Sequence, residues 1–228
     1  MTDNLSLSNL LALLEHIALW AVPVIFAITV HEVAHGWVAK KYGDNTASML
    51  GRLTLNPIKH IDLVGSIIVP GLLLITGTGF IFGWAKPVPV DPRHFKNPRA
   101  DMAVVALAGP VSNLLMAIIW VLITRIGFAI GTSSETIASL LIHMGSAGIG
   151  INLMLAVVNL LPIPPLDGSR ILSWLLPSNL SWQYNQLERY GFIILLALLW
   201  TGLLGKILGY PLFAAQELFF SLAGTPSY

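Results

Sequence analysis

The sequence predicts an all-α polytopic membrane protein, with about four full transmembrane helices and a Gly/Pro-rich re-entrant segment. Three observations carry this. Of 228 residues, 55% are hydrophobic and only 10% are charged, where a soluble domain has about a quarter charged. Mean hydropathy is +0.77, more apolar surface than one soluble core can hide. The apolar residues fall in runs of about 20, the length that crosses roughly 30 Å of hydrocarbon. An ordinary soluble globule and a disordered chain are excluded. A net charge of +1 with no basic stretch excludes a nucleic-acid groove. With no cysteine there is neither a disulfide framework nor a cysteine-based zinc site.

The N-terminal stretch carries Asp3 and no Lys or Arg before Lys40, so it does not read as a secretory signal. Leu5 to Leu14 reads as an interfacial lead-in, with Glu15 and His16 at the membrane edge. Ile17 to Lys40 is the first span, with Pro23 as a kink site and Lys40 and Lys41 as its anchors. Met102 to Arg125 is the second. Ile137 to Leu160 is the third, and it runs into the Pro-rich stretch Leu161 to Gly168. Tyr190 to Gly209 is the fourth. Leu212 to Ala223 is short, contains Glu217 and reads as interfacial. The polar connections are too short to fold alone, so residues 1–228 read as a single intramembrane domain.

Leu63 to Trp84 is long enough to span but is broken by Pro70, Gly71, Gly77, Gly79 and Gly83. Such backbone is tolerated at membrane depth where it lines a cavity or packs on protein. If this piece crosses, the 12 Lys and Arg divide six to six. If it dips in and returns, Lys40, Lys41, Arg52, Lys59, Lys86, Arg93, Lys96, Arg99, Arg170 and Arg189 share one side. Only Arg125 and Lys206 then lie on the other. The uneven split fits the positive-inside rule, which favours a re-entrant piece and charged loops in the cytoplasm.

The first span contains His31-Glu32-Val33-Ala34-His35. On a helix, positions i and i+4 share a face, so both imidazoles can reach one metal ion. Glu32 can face water at that metal, the H-E-x-x-H arrangement of zinc hydrolases. With six His in the chain, a chance match is expected about 0.003 times. A His-Glu-His set within a transmembrane helix must face a polar interior. A buried structural cluster, or a proton or metal relay in a transporter, would meet the same condition. A catalytic zinc takes three protein ligands. Asp167 is the outstanding third candidate, at the end of Asn159-Leu160-Leu161-Pro162-Ile163-Pro164-Pro165-Leu166-Asp167-Gly168. Its prolines prevent regular helix, and a surface turn is the plain alternative. His31 lies towards the Lys40 end of its span and Asp167 beyond the Leu160 end of its own. Both ends share a membrane face only if Leu63 to Trp84 does not cross, as the charge split also indicates.

These motifs, with Gly109-Pro110-Val111-Ser112-Asn113, resemble the site-2 protease family of intramembrane zinc metalloproteases. The resemblance runs from the first span to Arg170. It implies His31, His35 and Asp167 as ligands of one Zn2+ per chain and Glu32 as catalytic base. It implies that Asn159 holds substrate or the developing oxyanion. It further implies a zinc-dependent endopeptidase that cleaves within or near transmembrane segments of other proteins. Its site would face the cytoplasmic side of a multi-pass protein in a prokaryotic cell membrane. Unlike larger bacterial members, the chain reads as one of a compact subgroup, expected without an inserted PDZ domain or a terminal regulatory domain. Phe82-Gly83-Trp84-Ala85-Lys86-Pro87-Val88-Pro89-Val90 matches a neighbourhood that is strand-like in related enzymes. Short β-hairpin elements, and substrate pairing by strand addition, therefore have a place in the expectation beside an irregular connection.

The partners expected are a transmembrane protein substrate and the lipid bilayer, with no nucleic acid. An ion or proton transporter and an inactive zinc-binding scaffold are the rival readings. Weaker candidates are Asn113, read as structural support, and His60 and Asp62, read as interface groups. Arg170 reads as a site-orienting or anchoring residue. His94 and His143 lack metal-ligand spacing.

Overall fold

The computed structural model describes residues 7–75, 83–131 and 134–225, with no strand among them. The helices are α1 (Leu7–Lys41), α2 (Thr46–Met49), α3 (Val69–Ile75), α4 (Pro98–Ile130), α5 (Glu135–Asn159), α6 (Asp167–Leu175), α7 (Ser178–Asn185), α8 (Gly191–Trp200) and α9 (Leu203–Ala223). Among the described residues, three stretches are long and apolar enough to cross a membrane: Leu19–Lys41, Pro98–Ile130 and Glu135–Asn159. A fourth is gained if the broken pair Ser178–Trp200 and Leu203–Ala223 counts as one span.

The expected fourth span, Tyr190 to Gly209, is therefore interrupted. Thr201 turns its hydroxyl back onto the Ala197 and Leu198 carbonyls, and Gly202 takes φ +70°, a conformation open to glycine. The Leu212 to Ala223 run is part of the 21-residue helix α9 rather than a short separate piece.

The chain forms two compact units, Met1–Ala27 with Asn113–Val158 and Gly202–Tyr228, and Ile28–Ser112 with Asn159–Thr201. In the first, Ala117, Trp120, Val121, Ile149, Leu153 and Ala223 form the buried cluster. Gly148 lies so close to the Trp120 indole that a Cβ would collide with it, and Gly145 is equally close to Thr124. Small residues at these points let α4 and α5 approach, which is how helices pack where lipid removes the hydrophobic drive. Asn113 Nδ2 donates to the Ala27 carbonyl at 3.1 Å and to Asn152 Oδ1 at 2.9 Å. Asn152 Nδ2 donates to the Gly148 carbonyl at 2.8 Å. Asn113 is thus the structural support the sequence suggested. Along α4, Val104, Leu107, Val111, Leu115, Ile118, Leu122 and Ile126 are all exposed. Their spacing of three and four residues makes an apolar stripe suited to lipid.

In the second unit, Ala39, Phe95 and Val105 are the buried apolar centre. The Leu63 to Trp84 piece opens with a π-helix over Leu63–Ile68, continues as α3, and passes through 76–82, which lie outside the described residues. Its ends meet: Trp84 N–H donates to the Gly65 carbonyl at 3.0 Å and Ser66 Oγ to the Trp84 carbonyl at 2.8 Å. Residues 83–91 then run on without helix or strand, so the hairpin expectation is not met among the described residues. Lys86 N–H donates to the His60 carbonyl at 2.9 Å, and Arg52 donates to the Lys86 and Pro87 carbonyls.

Buried Asp44 accepts from Thr46, from Asp91 N–H at 2.7 Å and from His94 at 2.8 Å. Burial alone would raise the Asp44 carboxyl, but these donors together hold it below its ordinary value. Asp91, paired with Arg93, is lowered to about 2.

Candidate metal centre

His31 and His35 stand one turn apart on α1, where helix geometry superposes their side chains. Their Nε2 atoms are 3.0 Å apart. His35 Nδ1 donates to the Val105 carbonyl at 2.8 Å. A carbonyl only accepts, so this bond fixes the tautomer and leaves the Nε2 lone pair of neutral His35 aimed inward.

The third group arrives from an irregular connection. α5 ends at Asn159, and Leu160 to Leu166 contain a cis Pro164–Pro165 bond. Two glycines let the chain fold tightly here: a Cβ on Gly168 would strike the Leu160 carbonyl, and one on Gly191 the Pro164 carbonyl. Tyr184 Oη donates to the Pro162 carbonyl at 2.9 Å. Asp167 is thereby placed in the first turn of α6, where the helix N-terminus favours an anion. The far end of α6 is held by Arg99, which donates to the Ser173 and Leu176 carbonyls at 2.8 and 2.6 Å.

Asp167 Oδ2 lies 3.2 Å from His31 Nε2 and 3.4 Å from His35 Nε2. Metal bonds of 2.0–2.1 Å in a tetrahedral site put donor atoms about 3.3 Å apart, so the three separations fit one ion. Oδ2 is buried and accepts no hydrogen bond, a costly state that a cation would relieve. Space is also reserved, because a Cβ on Gly109 would lie 2.5 Å from His31 Cε1 and His35 Nε2. Two imidazoles and a carboxylate form a donor set suited to zinc. Among the described residues, His31, His35 and Asp167 are the group that could hold a metal ion.

A cavity of ≈ 320 Å³ is lined by these three, Glu32, Asn159, Arg170, Val88, Val90, Val105 and neighbours. All five residues singled out as ligand, base or oxyanion group therefore share one cavity. Arg170 pairs with Glu188. His60 bonds the Thr54 carbonyl, Asp62 caps Gly65, His94 pairs with Asp44 and His143 bonds the Ser139 carbonyl. Each of these five has a structural partner. The sequence did not reveal the Val88 N–H, which donates to Glu32 Oε2 at 2.7 Å. The only local signal was Pro87-Val88-Pro89, three residues with a single N–H among them.

Residues 124–201 match the Peptidase family M50 description. The chain is 44% identical over 195 residues to YwhC of Bacillus subtilis (strain 168), named a candidate zinc metalloprotease, covering 85% of each chain. It is 30% identical over 205 residues to Rip2 of Mycolicibacterium smegmatis, likewise named, covering 90% of this chain and 73% of the relative. No solved structure matches. Sustained identity across most of both chains makes this protein a member of peptidase family M50, the site-2 protease family of metalloproteases.

Proposed function

We propose that the protein is a multi-pass, zinc-dependent intramembrane endopeptidase that hydrolyses peptide bonds within or near transmembrane segments of other proteins. The observation that carries this reading is the convergence of His31, His35 and Asp167 beside Glu32 in one cavity. His31, His35 and Asp167 would hold one zinc ion, which when bound would supply Lewis acidity to polarise a carbonyl and acidify water.

Glu32 takes a proton from the attacking water and returns it to the leaving amine. Asn159, on the same cavity wall, donates a hydrogen bond to the developing oxyanion. The carbonyl of Val105 keeps His35 oriented. A substrate helix hides its amides in internal hydrogen bonds, so the scissile segment must unwind locally, and helix-breaking residues there favour cleavage. The hydrogen-bonded ends of the Leu63 to Trp84 piece support its leaving and returning on one face. With ten of 12 basic residues then on that side, the site faces the cytoplasm.

The test measures bound zinc and cleavage of a purified membrane substrate, with and without chelator. One zinc per chain, with cleavage lost on chelation and restored by zinc, is expected. One zinc per chain with no cleavage of any membrane substrate would favour an inactive scaffold. Ion flux across proteoliposomes without cleavage would favour a transporter.

A further inference from the structure

We propose that the Val88 main-chain N–H is the positioning group of Glu32, tying the base to the extended 84–91 segment. The proposal rests on the reading of Glu32 as general base. Among the described residues, the 2.7 Å bond from Val88 to Oε2 is the one hydrogen bond that the Glu32 carboxylate makes. It is charge-assisted and short, the strong kind. It occupies one oxygen and leaves the other for water. An untethered Glu side chain would sample several rotamers, at an entropic cost on each turnover.

The donor is set by its sequence. Pro87 and Pro89 have no N–H, so Val88 supplies the only donor of the three residues. A residue before proline is also held in extended backbone. Anchors on both sides fix the position of the amide. Lys86 N–H binds the His60 carbonyl, Arg52 binds the Lys86 carbonyl at 2.9 Å, and Asp91 N–H binds the buried Asp44. The Val88 side chain is buried and rests on α1 at Gly36, where an added Cβ would lie 2.7 Å from Val88 Cγ1. Gly36 is one turn beyond Glu32 and on the same face, so this contact and the hydrogen bond hold Val88 to α1 together. Displacement of the 84–91 segment therefore moves the base.

The test replaces Val88, in the full-length protein, with the α-hydroxy analogue of valine. This converts the one N–H into an ester oxygen and keeps the side chain. Cleavage of a purified transmembrane substrate is followed alongside bound zinc. Loss of a hydrogen bond to a charged group predicts a fall in kcat of about tenfold or more, with KM and zinc unchanged. In a Glu32→Asp background, whose shorter carboxylate is drawn away from the amide, the ester costs less than about twofold further. An unchanged kcat, an equal loss in both backgrounds, or zinc lost in step with activity would each overturn the proposal. If Glu32→Gln alone cleaved at the wild-type rate, the base assignment itself would fail, and this proposal with it.

Discussion

Two buried polar clusters in this molecule are built from similar means and differ in one respect. Asn113 and Asn152 pair their amides with each other and with the Ala27 and Gly148 carbonyls, every bond joining a donor to an acceptor. At His31, His35 and Asp167, two imidazole Nε2 atoms and a carboxylate oxygen point at one another, and the buried Asp167 Oδ2 has no donor. Buried polar groups are normally satisfied. The first cluster is complete as protein and serves the fold. The second keeps a buried oxygen without a donor, a set of groups that could hold a cation.

This contrast predicts opposite responses to substitution. The largest effect is expected at the metal cluster: Asp167→Ala should lose bound zinc and cleavage together while the protein stays folded, read by elemental analysis and circular dichroism. Gly109→Ala should lower zinc affinity by about 10–100-fold through displaced imidazoles, measured by competition with a chelator. Asn159→Ala should keep zinc and lower kcat by about 100-fold or more.

At the Asn pair, Asn113→Ala should destabilise by about 1–3 kcal/mol and leave one zinc per folded chain. Asn113→Leu with Asn152→Leu should be milder than either alone, because neither amide is left buried opposite a lost partner. The smallest effect is expected at Asp44. Its folded pKa is depressed, so its stabilisation is present above its unfolded value, about 4, and is lost as pH falls through the folded value. Thermal melts of Asp44→Asn should fall below wild type at neutral pH and converge with it in acid.

The sequence made the helical half of the site legible because His31, Glu32 and His35 are related by a local period. Asp167 could be singled out because so few carboxylates sit beside apolar runs, but its approach to the imidazoles depends on Gly168, Gly191 and Arg99, whose contacts are tertiary. The Val88 amide and the Val105 carbonyl were invisible for another reason: backbone groups carry no residue identity. Asn152 gave no signal beyond being one amide in an apolar run. The break at Thr201 and Gly202 was hidden because hydropathy runs through it unchanged, while the conformation there depends on a left-handed glycine.

The central claim is that the unsatisfied cluster is a hydrolytic zinc site with Glu32 as its base. The most direct measurement compares wild type and Glu32→Gln for bound zinc and for cleavage of a purified transmembrane substrate. Zinc should remain at one per chain in both, and cleavage should be abolished in Glu32→Gln. Undiminished turnover in Glu32→Gln would contradict the account.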